Sequence, residues 1–95
     1  VDSLFVAALA DIPERAAALL RADPAVVRRV DGSKCTALHL AARWGNVRTM
    51  AVLLRHGADV KAGDGSARTA LYEAAREGRA EAVRLLLAHK ADVKG

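Results

Sequence analysis

The sequence predicts an all-α protein built as a solenoid of short helix-turn-helix units. Three observations predict this fold: the chain repeats itself at a fixed period, the repeated segments carry the apolar spacing of amphipathic helices, and the composition favours close helix packing. Only three of the 95 residues are aromatic, and much of the 53% hydrophobic content is alanine. A chain of this size forms one domain with a modest core.

The repeat is strongest between residues 31–62 and 64–95. Aligning these two segments residue by residue gives 17 identities in 32 pairs, far above chance even for an alanine-rich chain. The same offset extends backwards more faintly: it places Phe5 on Leu38, which keeps apolar character where identity is lost, as in an atypical terminal repeat. We therefore predict a single domain over 1–95, with units at about 1–30, 31–63 and 64–95.

The first helix of each unit has a start signal and a stop signal. Thr36 and Thr69 stand directly before apolar-periodic runs, where a hydroxyl caps the first free amides of a helix. Gly45 and Gly78 follow these runs, at the position that favours a left-handed residue after a helix. These signals bound the first helices of the second and third units.

The second helices are predicted near Val47–Arg55 and Ala80–Ala88. Between them, Asp64-Gly65 is a turn dipeptide flanked by short extended segments. The side chains predicted to face inward from the second helices are Met50, Leu53, Leu54, Val83, Leu86 and Leu87.

These residues resemble the ankyrin repeat. The 33-residue period and the segments 36–42 (TALHLAA) and 53–60 (LLRHGADV) carry the resemblance, which covers the whole chain and is weakest over 1–30. It implies two antiparallel helices per unit, with a β-hairpin-like finger projecting between units. It also implies that partners bind the concave face made by the fingers and first helices, and that the ring of His39 bonds the neighbouring turn.

Several positions depart from the ankyrin pattern. Lys34 and Ala67 occupy the finger position that is usually glycine, so the finger turn is expected to be reshaped. Tyr72 replaces the motif histidine, and Lys90 replaces the glycine that ends the second helix. None of these changes threatens the predicted fold.

Composition argues against a membrane or secreted protein. No apolar run reaches the roughly eighteen residues of a membrane span, and no signal peptide opens the chain. The single Cys35 cannot form an internal disulfide, which favours a reducing compartment. We expect an intracellular protein, cytoplasmic or nuclear.

No constellation of residues points to catalysis, a cofactor or a metal. There is no glycine-rich phosphate loop. Cys35 and His39 have i, i+4 spacing, but the helix is expected to begin between them, which separates nucleophile from base. His56 and His89 occupy equivalent positions in stacked units, about 10 Å apart, too far to share a metal without a third ligand. We therefore expect no enzyme activity.

Trp44 is the strongest candidate for a partner contact. It lies outside the apolar helix face, and its equivalent one period later is the solvated residue Glu77. Tryptophan and arginine dominate binding hot spots, although a ring lying flat on neighbouring side chains is the alternative. The other predicted partner-binding residues are Arg43, Arg68, Arg76, Glu77, Ser33, Ser66 and Asp11, with Cys35 and Asn46 on the same face.

The predicted function is a non-catalytic protein–protein interaction module. The arginines would bind carboxylates of an acidic patch on the partner, although a solvated basic surface is the alternative for each. The net charge of +4 is interleaved with acidic residues, so nucleic acid is not an expected partner. The rival prediction is an assembly role, in which the apolar run Leu85–Leu87 at the C-terminal end stacks on a second copy or on further repeats of a longer array.

Overall fold

The computed structural model describes residues 4–32, 34–63 and 68–89. Within these ranges the chain forms six α-helices and no strand, arranged as three consecutive pairs. Each first helix packs on its own second helix and on the first helix of the neighbouring unit, which confirms the predicted helical solenoid. The helices are α1 (Leu4–Ala10), α2 (Pro13–Ala22), α3 (Ala37–Trp44), α4 (Val47–Arg55), α5 (Ala70–Arg76) and α6 (Ala80–Ala88), with a 3-10 helix at Pro24–Arg28 after α2.

The predicted helix boundaries in the second and third units are confirmed. The Thr36 hydroxyl accepts a hydrogen bond from the backbone N–H of His39, and the Thr69 hydroxyl accepts one from Tyr72. Gly45 and Gly78 both adopt φ 70, the left-handed backbone expected after a first helix.

The first unit is offset by one residue from the predicted register. Asp11 adopts φ 54 directly before the residue that precedes α2, which is the position of Gly45 and Gly78 in the other units. The first two units are therefore one residue further apart in the chain than the second and third, so Ala10 rather than Asp11 is the equivalent of Trp44. Aspartate tolerates the left-handed region better than most non-glycine residues, which is why no glycine marked this turn in the sequence.

The core runs along the stack between the first and second helices. Alanines occupy many of the helix contacts, and the largest fully buried apolar side chains are Leu20, Leu38, Met50, Leu53 and Leu86. The prediction that Leu87 faces inward is wrong, since it is 43% exposed. Its equivalent Leu54 is 9% exposed, because α6 packs beside α4, whereas no described helix lies beyond α6.

Two backbone hydrogen bonds join the described residues of the finger between the first two units. The Asp31 N–H donates to the Cys35 carbonyl (2.9 Å), and the Lys34 N–H donates to the Asp31 carbonyl (2.9 Å). Lys34 adopts φ 63, in the left-handed region that non-glycine residues seldom occupy. The turn predicted at Asp64-Gly65 lies outside the described residues, as does Lys90.

Candidate partner-binding surface

The first helices of the second and third units are joined by an ion pair whose carboxylate is buried and whose guanidinium is partly exposed. Glu73 is 1% exposed, and its Oε1 accepts a hydrogen bond from Nε of Arg43 at 3.2 Å. That bond raises the pKa of the Arg43 guanidinium, although partial burial opposes the rise. A terminal nitrogen of Arg43 also lies 3.9 Å from Sγ of Cys35, which is buried. Arg43 and Cys35, both predicted to contact a partner, therefore make contacts within the stack.

His39 links its own helix to the third unit. Its Nδ1 accepts a hydrogen bond from the Thr36 N–H (3.1 Å), so a neutral ring carries its proton on Nε2. Nε2 then donates to the backbone carbonyl of Arg68 at 2.8 Å. The structural role implied for this histidine by the repeat pattern is present in the structure.

At the opposite end of the first helices, the residue directly before α4 or α6 has a side chain that reaches the preceding unit. Asn46 donates from Nδ2 to the carbonyls of Ala8 (2.6 Å) and Leu9 (3.2 Å). One period later, Arg79 donates from Nε to the carbonyl of Arg43 (3.1 Å). These carbonyls end the first helices, where the backbone lacks helical partners. The side chain of Asn46, which was predicted to contact a partner, therefore makes its hydrogen bonds within the stack.

Asp11 also bonds within the stack. Its Oδ1 accepts a hydrogen bond from the hydroxyl of Thr49 at 2.9 Å, and Thr49 is fully buried. The Asp11 carboxylate, predicted to face a partner, therefore satisfies a buried hydroxyl of the second unit. The signal that sequence reasoning missed is the buried polar residue in α4, which must find a partner inside the fold.

Trp44 lies at the last residue of α3 and is 53% exposed. Its side chain lines an open groove that runs along the start of α6, formed with Gly45, Val47, Arg79 and Ala80–Ala82. The cation at this groove is Arg79, which sequence analysis did not name. Its position, one period after Asn46 and directly after a helix-ending glycine, is the signal that could have identified it.

A second exposed aromatic residue lies at the finger end of the same helix layer. Tyr72 is 46% exposed, and the guanidinium carbon of Arg68 lies 5.8 Å from its ring centroid, a cation–π distance. Arg76 is exposed one helical turn further along α5. The backbone carbonyl of Arg68 accepts a hydrogen bond from His39, near the start of α3. Trp44 lies five residues after His39, about 7.5 Å further along the helix axis. Arg68 thus belongs to a cluster with Tyr72, separate from the Trp44 groove.

The remaining predicted contacts are only partly described. Glu77 is exposed directly after α5, one period after Trp44. Ser33 and Ser66 lie outside the described residues. In the described part of the chain, no three His, Cys, Asp or Glu side chains are grouped to hold a metal ion. None of the helices described there has the length and apolar character of a membrane span.

Comparison with known families agrees with this architecture. A family model for ankyrin repeats, in three copies, matches residues 4–95. The match includes the first unit, where the sequence signal is weakest. A search of curated proteins gave no match.

Proposed function

Because the chain belongs to the ankyrin-repeat family, whose repeats are in general protein–protein interaction modules, we propose that it binds another protein on the face of its first helices and fingers. The observation that supports this most is the half-exposed ring of Trp44 beside an open groove. A large aromatic surface in water is unfavourable, and a partner that covers it recovers that free energy. We propose no catalytic step.

The partner we propose offers an apolar side chain to the groove and carboxylates to Arg79 beside it and to the separate Arg68 and Arg76. Arg79 lines the groove, and Arg68 and Arg76 lie on the same helix layer. Arginine binds carboxylates through paired hydrogen bonds, and complementary charge speeds association. Arg43 contributes less to this contact, since its Nε donates to Glu73, and Arg79 contributes through its terminal nitrogens, since its Nε donates to the Arg43 carbonyl. The setting we propose is intracellular, cytoplasmic or nuclear, where Cys35 stays reduced.

Affinity capture of the partner, followed by measurement of its dissociation constant, tests the site. Trp44→Ala is expected to weaken binding by about 2 kcal/mol, roughly 30-fold, because the ring anchors the contact. Thermal stability should barely change, since the side chain is half exposed. Leu87→Ala is the matched control: it removes a similarly exposed apolar side chain from α6, outside this face. Equal affinity of Trp44→Ala and the parent chain would remove Trp44 from the site.

The charge of the partner is tested by a pair of arginine variants. Arg76→Ala should slow association and reduce its dependence on salt, whereas Arg55→Ala, an exposed change at the end of α4, should do neither. Identical effects of the two changes would show that net charge alone matters. Capture that is abolished by nuclease would instead indicate a nucleic-acid partner.

A further inference from the structure

The third unit exposes side chains whose equivalents are buried between the second and third units. Ala75 is exposed, whereas Ala42, its equivalent one period earlier, is fully buried. Leu87 is 43% exposed and Leu54 only 9%. The surface of the third unit therefore repeats the surface of the second unit on which the third unit packs.

The first unit exposes the complementary side chains. Val6 is 49% exposed, whereas its equivalent in the second unit, Leu40, is 6% exposed on α3, the helix that packs on α1. Ile12 is 41% exposed, and it precedes α2 as Asn46 precedes α4. Asn46 reaches back to the preceding unit. Val6 and Ile12, here called the head surface, thus occupy positions that face a preceding unit elsewhere in the stack.

An apolar groove on the third unit marks where such a residue would pack. The groove is lined by Ala75, Gly78, Ala80 and Val83 together with Arg79 and Arg84. The equivalent of Gly78 in the second unit is Gly45, over which the side chain of Arg79 lies: a Cβ at Gly45 would be 2.9 Å from Cδ of Arg79.

The way the third unit packs on the second predicts which residue of an added unit would fill the groove. Arg79 lies over Gly45, so the residue in the matching position of an added unit would lie over Gly78. In a second copy of this chain that residue is Ile12, since Ile12, Asn46 and Arg79 all directly precede a second helix. An exposed isoleucine therefore meets an apolar groove.

We infer that the chain associates head to tail with a second copy of itself. The head surface packs on the tail surface, defined as Ala75, Gly78, Val83 and Leu87, and continues the stack from one copy to the next. This association goes beyond partner binding on the first-helix face, and it leaves Trp44 uncovered. Because each added copy presents a new tail surface, the association does not close and gives chains of increasing length.

The head surface brings no charged side chain to this contact, although Arg76, the equivalent of Arg43, and the groove residues Arg79 and Arg84 lie on the tail side. The residue that pairs with Arg43 inside the stack is Glu73, and its equivalent on the head surface is Val6. The residue that donates to the preceding unit is Asn46 or Arg79, and its equivalent is Ile12. Association should therefore persist at high salt, because apolar burial is not screened.

Analytical ultracentrifugation of the parent chain and two blocked variants tests the inference. The mass of the parent chain should rise with concentration towards about 1 mM, and the rise should survive high salt. Ile12→Glu blocks the head surface and Ala75→Glu the tail surface, so each variant alone should keep the mass of one chain. A mixture of the two should form a one-to-one dimer, because each supplies the surface that the other lacks. Trp44→Ala is the control and should associate like the parent chain.

Other outcomes overturn the inference. A single-chain mass for the parent chain at all concentrations up to about 1 mM would do so. So would association of Ile12→Glu alone, which would indicate contact between two tail surfaces, or a mixture of the variants that stays monomeric. If circular dichroism shows that either variant has not folded, Val6→Glu and Leu87→Glu replace them, since both side chains are exposed.

Discussion

The two junctions between units have similar helix packing but different chemistry. In the first junction, neutral groups of the second unit bond the first unit: Asn46 binds backbone carbonyls, and the hydroxyl of Thr49 binds Asp11. In the second junction the neutral ring of His39 also binds a backbone carbonyl, but the other bonds use charged side chains: Arg43 binds Glu73, and Arg79 binds a backbone carbonyl. Both junctions therefore satisfy polar groups of one unit with side chains of the next. The residue types that do so differ between the two junctions.

Equivalent positions show how far this difference extends. Leu40 packs in the first junction as an apolar residue, and Glu73 takes the same position in the second junction as a buried carboxylate. A buried ion pair adds little net stability over an apolar contact, but loss of one partner leaves a desolvated charge. The second junction should thus be the more sensitive of the two to single substitutions.

The largest expected effect is that of Arg43→Ala. It leaves the Glu73 carboxylate buried without its cation and should lower the free energy of unfolding by about 3 kcal/mol, measured by urea denaturation. Because the pKa of Arg43 is raised in the folded chain, its ionisation stabilises the fold at all pH values below the ordinary arginine value, and this contribution is lost only as the pH rises through the folded value.

A second substitution separates charge from packing. Glu73→Leu should cost less than about 1 kcal/mol, because Arg43 is partly exposed and can be hydrated, while leucine already occupies the equivalent position in the first junction. Adding Glu73→Leu to Arg43→Ala should restore most of the lost stability. Additive losses in the double variant would show that the two side chains do not interact.

The first junction should respond less strongly. Thr49→Val keeps the shape of a fully buried side chain but removes the donor to Asp11, and should lower the free energy of unfolding by about 1.5 kcal/mol. Asp11 is partly exposed, so its carboxylate can be hydrated afterwards. A loss as large as that of Arg43→Ala would contradict the predicted difference between the junctions.

The smallest expected effect lies in the finger that joins the first two units. Lys34 adopts φ 63, which is unfavourable for a side chain with a Cβ, so Lys34→Gly should raise the free energy of unfolding by about 0.5–1 kcal/mol. Gly32→Ala is the matched control in the same turn: no atom lies near its added methyl, and its backbone has no positive φ. Destabilisation by Lys34→Gly would show that this lysine makes a contact worth more than the strain.

Local signals in the sequence predicted much of the fold. The threonine caps, the helix-ending glycines and the second-helix boundaries each depend on residues close together in the chain, so periodicity and capping preferences reveal them. The period itself then ordered the units into a stack. The exposure of Trp44 was predicted because its equivalent, Glu77, is a residue that belongs in water, and the ring is 53% exposed.

Contacts between units could not be predicted in this way. Arg43 and Glu73 lie in different units, far apart in the chain, and no local pattern shows that one neutralises the other. The one-residue offset of the first unit was missed because its left-handed residue is Asp11, so no glycine marks the end of α1. Leu87 was assigned to the core from its helical spacing, but burial at that position requires a neighbouring unit, which spacing alone does not reveal.

The most direct test of the proposed function uses the fluorescence of Trp44, the only tryptophan in the chain. Quenching by a neutral, water-soluble quencher is measured for the free chain and for its complex with the captured partner. The free chain should be strongly quenched, because the ring is half exposed, and the bound chain should be protected, with emission shifted to shorter wavelength. A complex in which Trp44 is quenched as efficiently as in the free chain would contradict the proposal that this residue anchors the partner.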